Sequence, residues 1–228
     1  MARATKERDS AFSKLVIDTA RAMASKSLTV ATWGNISTRD PETGRIYVTP
    51  SGYDYKKAKI DDVVVFDSKG IRVKGLRKPT IEKDLHIELY QARDDINAII
   101  HTHAMYSTVI GVAGLSLPAI TEEFAQTLGH EAPLCKYAIP GSPDLAKYVV
   151  EGFGTEHYAV LMPSHGAVCG AADMDMAMKQ CDVLERAAEI YILAQNLVAQ
   201  HPEGQLRPIP ADDVDHMFRF HNNQYVQK

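Results

Sequence analysis

The spacing of apolar positions predicts a chain in which helices alternate with short strands. Apolar side chains recur at three- and four-residue intervals in several segments, which is typical of amphipathic helices. These segments are residues 6–26, 80–93, 107–112, 144–153 and 173–200. The stripe in the first helix includes Phe12, Val16 and Met23. Pro79 suits the first turn of the second helix, and Asp173 suits the N-cap of the last one.

Short runs rich in β-branched residues lie between these helices and predict strands. They comprise two strands within residues 32–52 and one each at residues 98–103, 158–162 and 167–169. A hairpin is predicted as well, because residues 63–66 and 71–73 flank a turn-forming tetrad. Residues 117–118 interrupt the pattern. From about residue 201 the chain becomes polar and proline-bearing, so we expect a mobile tail there.

Composition narrows the classes of protein that this chain can represent. Its 228 residues are 45% hydrophobic and 24% charged, as in ordinary globular proteins, and we expect one domain over residues 1–228. The net charge of −4 includes no basic run, which argues against nucleic acid or a membrane surface as partner. Three cysteines without a Cys-x-x-Cys pair argue against a disulfide framework. Since no segment has the character of a membrane span or signal peptide, we expect a cytoplasmic protein.

The strongest chemical signal is the pair His101 and His103, at the end of a predicted strand. Side chains two positions apart on a strand point to the same face, so the two imidazoles are expected to converge. Imidazole is a preferred ligand of zinc and similar divalent cations, but two ligands do not make a tight site. Such a pair also occurs by chance, so its interpretation depends on ligands from elsewhere in the chain.

His165 and Glu82 are the best candidates for the remaining ligands. His165 lies in a turn between two predicted strands and precedes Gly166, where the backbone can approach a neighbour closely. Glu82 is placed in the first turns of the helix after Pro79, where the helix dipole alone also favours a carboxylate. His86, four residues later, shares that helix face and is a rival ligand.

Two loops of small residues have the composition of a phosphate site. One contains Gly34 and Asn35, and the other has the sequence Thr-Pro-Ser-Gly at residues 49–52. Backbone amides and hydroxyls in such loops form a concavity that holds phosphate without a lysine. Ordinary turn chemistry explains each loop equally well when it is considered alone.

Together these motifs resemble the class II aldolase/adducin superfamily. Five segments match its motifs in order: Gly-Asn-Ile-Ser at 34–37, Thr-Pro-Ser-Gly at 49–52, Pro-Thr-Ile-Glu at 79–82, His-Thr-His-Ala at 101–104 and Ser-His-Gly at 164–166. Five ordered motifs are more specific than any one of them. The resemblance implies a three-layer α/β/α fold with a largely antiparallel central sheet. It also implies a homotetramer with active sites at subunit interfaces.

The resemblance assigns roles to individual residues. It implies that His101, His103 and His165 bind Zn²⁺, or else Mn²⁺ or Co²⁺, and that Glu82 approaches this metal and moves protons. The residues that it implies around the phosphate of a small phosphorylated sugar are Asn35, Ser51, Gly52, Thr80 and Ile81. A Lewis-acidic cation would polarise the substrate carbonyl and stabilise an enediolate.

Two departures from the family pattern affect the expected chemistry. The double serine of the family is replaced by Thr80 and Ile81, so one hydroxyl donor to the phosphate is missing. Where the aldolases have a catalytic tyrosine after an Ile-Pro-Ala-Ile segment, this chain has Glu122 and Glu123 as catalytic candidates. Family members also use a C-terminal tyrosine, which makes Tyr225 a further catalytic candidate.

The expected function is that of a metal-dependent aldolase. It would cleave an L-fuculose-1-phosphate-like ketose 1-phosphate into dihydroxyacetone phosphate and an aldehyde. Glu82 favours this interpretation, because the epimerases of the family have aspartate in its place. Glu122 and Glu123 favour the alternative of a sugar-phosphate 4-epimerase, dehydratase or decarboxylase on the same metal site, since one fold hosts all of these reactions. The remote alternative, a non-enzymatic scaffold like adducin, predicts lost metal ligands, whereas this sequence retains them.

Overall fold

The computed structural model describes residues 2–201 and 203–221. Within them the helices are α1 (Ala2–Ser25), α2 (Lys83–Ala92), α3 (Met105–Val112), α4 (Glu122–Leu128), α5 (Pro143–Phe153), α6 (Met174–Gln200) and α7 (Ala211–Phe220). The strands are β1 (Asn35–Arg39), β2 (Ile46–Val48), β3 (Val64–Phe66), β4 (Arg72–Lys74), β5 (Ala98–Thr102), β6 (Leu117–Pro118), β7 (Glu131–Ala132), β8 (Ala159–Met162) and β9 (Gly166–Ala171). As predicted, Asp173 caps α6, because its side chain accepts a hydrogen bond from the amide of Met176.

The large sheet has the strand order β4-β3-β2-β1-β5-β9-β8, and β6 pairs separately with β7. Every neighbouring pair in the large sheet is antiparallel. The interior strand β5 lies between β1 and β9, and all five of its residues are buried. A strand covered on both faces has a continuous apolar run instead of strict alternation, which explains Ala98, Ile99 and Ile100.

Helices cover both faces of this sheet and form a hydrophobic core on each. On one face, Val16 of α1 and Leu184 of α6 pack in the same core as Ile100 of β5. On the other face, Leu85 of α2 packs in the same core as Ile99. Adjacent residues of β5 enter opposite cores because strand side chains alternate between faces. The predicted three-layer α/β/α fold, with an antiparallel central sheet in a single domain, is confirmed.

The second helix begins at Lys83 and not at residue 80 as predicted. Pro79 forms an isolated β-bridge with Pro50, and the amide of Thr80 donates to the carbonyl of Thr49. Because these contacts tie the segment to the preceding loop, it enters the helix only after a turn. Glu82 is therefore the N-cap residue of α2 and not part of its first turns.

Four of these elements, β6, β7, α4 and α7, were not predicted from the sequence. Residues 117–118, which interrupt the hydrophobic pattern, form β6 and pair with β7. Helix α4 has seven residues, which is too short for a clear periodicity. Helix α7 lies in the expected tail, where Val214 is buried and the amide of Ile209 donates to the carbonyl of Ala119. Tertiary contacts of this kind are absent from a local sequence window, so periodicity alone does not reveal the helix.

Candidate active site

His101 and His103 lie at the end of β5, beside β9. His101 is completely buried, and its Nδ1 atom donates to the main-chain oxygen of Ala167, 3.0 Å away. This hydrogen bond leaves Nε2 as the ring atom that can bind a metal. The Nε2 atom of His103 lies 3.0 Å from Nε2 of His101. The two imidazoles thus converge in the way that their spacing on a strand predicts.

His165 reaches the same point from the turn between β8 and β9. Ser164 has a left-handed backbone with φ 56°, and the amide of His165 donates to the carbonyl of Met162. Gly166 allows the turn to lie against β5, since a Cβ atom there would lie 2.0 Å from the main-chain oxygen of Thr102. The candidate ligand atoms of the three histidines all lie within 4.8 Å of one another. We call His101, His103 and His165 the histidine cluster.

The carboxylate of Glu82 faces the histidine cluster from the start of α2. Its Oε2 atom lies 3.3 Å from Nε2 of His101, and its Oε1 atom lies 3.2 Å from Nε2 of His165. Oε2 also accepts a hydrogen bond of 2.7 Å from Nδ2 of Asn35. The contact of Oε1 lacks hydrogen-bond geometry, and this buried atom has no hydrogen-bond partner among the described residues. Because an unpaired buried carboxylate oxygen is costly, its position fits a bound cation.

Asn35 and Gly34 reach this site because β1 begins directly beside β5. Asn35 is opposite His101 in the antiparallel register of the two strands. Gly34 has φ 73°, and a Cβ atom there would lie 2.6 Å from the main-chain oxygen of His101. Only glycine combines this backbone conformation with such a close approach. The Gly-Asn loop thus contributes to the surroundings of the histidine cluster.

Burial keeps the histidine cluster neutral. Loss of hydration lowers the pKa of His101 to about 4 and the pKa of His165 to about 4. Burial, together with the neighbouring rings of His101 and His165, lowers the pKa of His103 to about 3. Neutral imidazole is the form that binds a metal ion, so the cluster does not need to lose protons near neutral pH.

The donor set fits a divalent cation. Three imidazole nitrogens and a carboxylate oxygen are ligands that zinc and similar ions accept. Within the described residues, the histidine cluster is the group of His, Cys, Asp or Glu side chains close enough to share an ion. The unpartnered Oε1 atom of Glu82 adds a fourth donor beside the three rings.

A cavity of about 430 Å³ opens beside the histidine cluster. Glu82, His103 and His165 form one part of its lining. The lining also contains every residue expected around a phosphate, namely Asn35, Ser51, Gly52, Thr80 and Ile81. None of the described lining residues is lysine or arginine, so hydroxyls and amides are the groups that would bind an anion here.

Backbone hydrogen bonds join the two loops that supply these hydroxyls. The amide of Ser51 donates to the carbonyl of Lys78 at 2.9 Å, and the amide of Thr80 donates to the carbonyl of Thr49 at 3.1 Å. The hydroxyl oxygen of Thr80 accepts from the amide of Glu82 at 3.3 Å. This contact uses an oxygen lone pair, so the hydroxyl proton remains available for a ligand.

Not every predicted residue reaches this cavity within the described chain. Glu122 and Glu123 are exposed in the first turn of α4 and do not line the cavity. Tyr225 lies outside the described residues. The catalytic roles of these three residues stay predictions. His86 is buried, and its two ring nitrogens contact other side chains instead of the histidine cluster.

Several further lining residues were given no role in the sequence analysis, among them Trp33, Tyr137 and Ser164. Trp33 is 58% exposed and Tyr137 is 64% exposed, so two aromatic side chains border the cavity and remain accessible to a ligand. Trp33 precedes Gly34 and Ser164 precedes His165, and this adjacency is a signal that could have identified both. Tyr137 has no such signal, because the fold alone brings its loop to the cavity.

Comparison with known proteins agrees with this geometry. The sequence profile of the family described as Class II Aldolase and Adducin N-terminal domain matches residues 14–192. The chain belongs to this family. A 5-deoxy-D-ribulose 1-phosphate aldolase from Bacillus thuringiensis serovar kurstaki is 34% identical over 195 residues, which cover 86% of this chain and 88% of the relative. An L-fuculose phosphate aldolase from Methanocaldococcus jannaschii is 32% identical and covers 79% of this chain and 95% of its own length.

The similarity extends to three-dimensional structure. A solved structure of L-fuculose 1-phosphate aldolase has a TM-score of 0.86 and 32% identity, and the match covers 92% of this chain and 96% of that one. The protein is therefore a sugar-phosphate aldolase of the class II type, a family of divalent-metal-dependent enzymes. Its histidine cluster can hold such an ion. Over residues 2–201 and 203–221, no helix is both long and apolar enough to cross a membrane.

Proposed function

We propose that this class II aldolase cleaves a ketose 1-phosphate into dihydroxyacetone phosphate and an aldehyde. The observation that carries the proposal is a single cavity that combines the histidine cluster and Glu82 with hydroxyl-bearing loops. The names of relatives support it, since they include 5-deoxy-D-ribulose 1-phosphate, 5-methylthioribulose-1-phosphate and L-fuculose 1-phosphate. All three are ketose 1-phosphates, and the last is the type expected from the sequence motifs.

The phosphate of the substrate would bind between the two joined loops. The hydroxyls of Ser51 and Thr80 donate to it, together with backbone amides at Gly52 and Ile81. Asn35 can take part as well, because its amide group has two N–H donors and one of them is used by Glu82. Ile81 adds no hydroxyl, so its contribution is limited to its backbone.

The histidine cluster and Glu82 would hold Zn²⁺, with Mn²⁺ or Co²⁺ as alternatives. A divalent cation bound there supplies Lewis acidity, which polarises the substrate carbonyl and favours the negative charge that develops on cleavage. Nε2 of the buried His101 lies 3.0 Å from Nε2 of His103 and 3.3 Å from Glu82 Oε2, so these donors are close together.

Glu82 would move the proton at the reacting carbon. When the bond between C3 and C4 breaks, its electron pair remains on C3 and the C4 hydroxyl becomes the aldehyde. C3 must then gain a proton, and the hydroxyl on C4 must lose one. Glu82 Oε1 faces the histidine cluster and has no hydrogen-bond partner among the described residues. Once this carboxylate has taken up a proton from water, it is placed to deliver that proton to C3.

The proton on the C4 hydroxyl needs a second acceptor, and we propose that a neighbouring copy of this chain supplies it. The proposal includes a homotetramer with active sites at subunit interfaces. In a single described chain Glu122 and Glu123 are exposed and outside the cavity, which suits residues that act across an interface. Met105 and Val112, at the two ends of α3, are 71% and 64% exposed, and such apolar side chains are favourable in a subunit contact.

The test is a coupled assay of the zinc-loaded protein with 5-deoxy-D-ribulose 1-phosphate and L-fuculose 1-phosphate. Release of dihydroxyacetone phosphate is followed as NADH oxidation, and ribulose 5-phosphate is the matched control without a 1-phosphate. We expect release from a ketose 1-phosphate that stops with chelator and in His103→Ala. Loss of water or carbon dioxide, or an inverted centre without this release, would instead identify a dehydratase, decarboxylase or epimerase.

A further inference from the structure

We propose that His86 is a positioning residue that fixes the orientation of Glu82 through Asn35. His86 is part of a chain of buried hydrogen bonds in which each residue donates to the next. The chain runs in the order Tyr90, Ser37, His86, Asn35, Glu82. The inference rests on the proposed function only for the proton-moving role of Glu82. The direction of the chain rests on contacts within the protein.

Strand β1 and helix α2 supply the links that precede Glu82. Asn35 and Ser37 are two residues apart on β1 and point to the same face, where both contact His86. His86 and Tyr90 are four residues apart on α2, and both contact Ser37. These four side chains and that of Glu82 are each at most 5% exposed. Because bulk water does not reach them, each polar atom depends on its neighbours for a hydrogen bond.

The direction of the chain is set at Glu82. A carboxylate only accepts hydrogen bonds, so the group of Asn35 that lies 2.7 Å from Glu82 Oε2 must be its amide nitrogen. The amide oxygen of Asn35 is then the atom that contacts Nε2 of His86. Because an amide oxygen only accepts hydrogen bonds, Nε2 of His86 has the ring proton and donates a hydrogen bond to this oxygen.

The remaining links follow from the other ring nitrogen. Complete burial, together with nearby His101, lowers the pKa of His86 to about 3, so the ring is neutral and Nδ1 has no proton. Nδ1 therefore accepts from the hydroxyl of Ser37, 2.7 Å away. The only hydroxyl proton of Ser37 is used in this bond, so its oxygen accepts from the hydroxyl of Tyr90 at 2.8 Å.

This chain has a consequence for the carboxylate of Glu82. An asparagine amide can usually rotate and exchange its oxygen and nitrogen, but here His86 offers a donor that only the oxygen can accept. The nitrogen of Asn35 consequently remains on Glu82 Oε2, and Oε1 remains directed at the histidine cluster. Both ring nitrogens of His86 are used, so it acts through Asn35 and not as the rival metal ligand that its helix spacing suggested.

The first test is spectroscopic and needs no substrate. ¹⁵N-histidine NMR of the purified protein, metal-free and zinc-loaded, reports which ring nitrogen has a proton. The His86 signals are assigned by their loss in His86→Gln. We expect a neutral ring protonated at Nε2 between pH 6 and 8, and a change in the Nδ1 signal in Ser37→Ala. A ring protonated at Nδ1, or at both nitrogens, would overturn the proposed direction.

The second test separates positioning from metal binding and from folding. In His86→Leu we expect kcat to fall about 10- to 100-fold, with KM changed less than kcat and bound zinc unchanged. His86→Gln, which retains a donor toward Asn35, should recover much of this loss. Leu85→Val, another buried position on α2, is the control for reduced stability and should leave kcat unchanged. In the Glu82→Gln background, His86→Leu should have no further effect.

The outcomes distinguish this inference from the proposed function. Loss of zinc in His86→Leu, or an equal loss of kcat in Leu85→Val, would show that His86 does not act by positioning Glu82. An undiminished loss in the Glu82→Gln background would do the same. If the wild-type protein cleaves no ketose 1-phosphate, the proposed function fails, and the NMR signals still decide the direction of the chain.

Discussion

The main-chain oxygen of Thr102 lies 2.0 Å from the point where a Cβ atom on Gly166 would be placed. Thr102 separates His101 from His103, and Gly166 follows His165, so this contact joins the two segments that form the histidine cluster. Strands β5 and β9 pair at this point, with Thr102 opposite Ala167. The geometry of the site therefore depends on a position that has no side chain.

Gly166→Ala is expected to disrupt the histidine cluster. The added methyl group forces β5 and the turn at His165 apart, because a backbone oxygen cannot move away as a flexible side chain does. We expect a loss of about 3 kcal/mol in the free energy of unfolding and at least about a tenfold loss in zinc affinity. Denaturant unfolding and zinc titration of the purified variant measure the two effects.

The control for this substitution is Gly114→Ala. Gly114, unlike Gly166, has a positive φ, of 73°, and no heavy atom lies within 4 Å of its added Cβ. Gly114→Ala is then expected to lower the free energy of unfolding by only about 1 kcal/mol, through backbone strain, and to leave zinc affinity unchanged. If both variants lost zinc affinity equally, the contact with Thr102 would not be the determinant of the site.

His103→Ala is expected to remove the metal more than it reduces stability. His103 is less buried than His101 and lies after β5, so its removal leaves the strand and both cores intact. We expect zinc affinity to fall at least about a hundredfold, with a parallel loss of aldol cleavage. The matched control is His201→Ala, at an exposed position. Zinc affinity retained in His103→Ala would exclude this histidine as a ligand.

Buried neutral histidines predict the pH dependence of stability in the metal-free protein. Burial lowers the pKa of His101 from 6.5 to about 4 and the pKa of His86 from 6.5 to about 3. At a pH between the folded pKa and 6.5, the histidine binds a proton in the unfolded chain but not in the folded chain. The free energy of unfolding therefore falls as the pH is lowered below 6.5, and this fall ends below the folded pKa values.

Denaturant unfolding of zinc-free protein between pH 8 and pH 4.5 measures this dependence. Each fully buried histidine contributes a slope of up to about 1.4 kcal/mol per pH unit. His86→Gln removes one such contribution and should flatten the curve, whereas His201→Ala should leave it unchanged. A slope that is the same in His86→Gln and in the wild type would contradict the neutral, buried state of His86.

Local sequence pattern was sufficient for the elements that form the histidine cluster. The spacing of His101 and His103 on an apolar run predicted that their side chains point to the same face. The glycine after His165 predicted the close approach of the two backbones. The phosphate-type loops were identified by their small residues, and all of these residues except Thr49 line the cavity. These features depend on neighbours in sequence, so they could be predicted.

The contacts that orient the site depend on residues far apart in sequence. Ser37 and His86 are separated by 49 positions, and Asn35 and His86 by 51. The sequence gives both residues of each pair, but only the packing of α2 on β1 brings them together. Helix α7, whose one buried residue is Val214, was missed for the same reason, since contacts with the rest of the fold hold it.

Ile81→Ser tests the assignment of the phosphate loop. This substitution restores the hydroxyl that the family pattern has and this chain lacks, and Ile81 is 62% exposed, so little apolar burial is lost. We expect KM for the ketose 1-phosphate to fall about two- to tenfold with stability nearly unchanged, because a hydrogen bond to a charged group contributes about 1 kcal/mol or more.

A matched change in the opposite direction is Thr80→Val, which removes a hydroxyl from the same loop and should raise KM. Steady-state kinetics with the same substrate compare the two variants. Affinity for inorganic phosphate, measured by calorimetry, should change in the same sense as 1/KM. If neither variant altered KM or phosphate affinity, these loops would not be the phosphate site.

Mixed oligomers test whether Glu122 and Glu123 act across a subunit interface. The double variant Glu122→Gln, Glu123→Gln retains the histidine cluster, whereas His103→Ala retains both glutamates. Each variant alone is expected to lose about a hundredfold or more in activity. When the two are mixed equally and reassembled, about a quarter of the interfaces combine an intact metal site with intact glutamates. Activity should then recover to about a quarter of the wild-type value.

Recovery of this kind requires that the two sets of residues meet between chains, because no single chain in the mixture has both. The control is the same mixture kept below the concentration at which oligomers form, measured by light scattering, which should stay inactive. Full activity of the double glutamate variant alone would exclude any role for these carboxylates. An inactive mixed oligomer would mean that glutamates and histidine cluster act within one chain, in spite of their separation in the described structure.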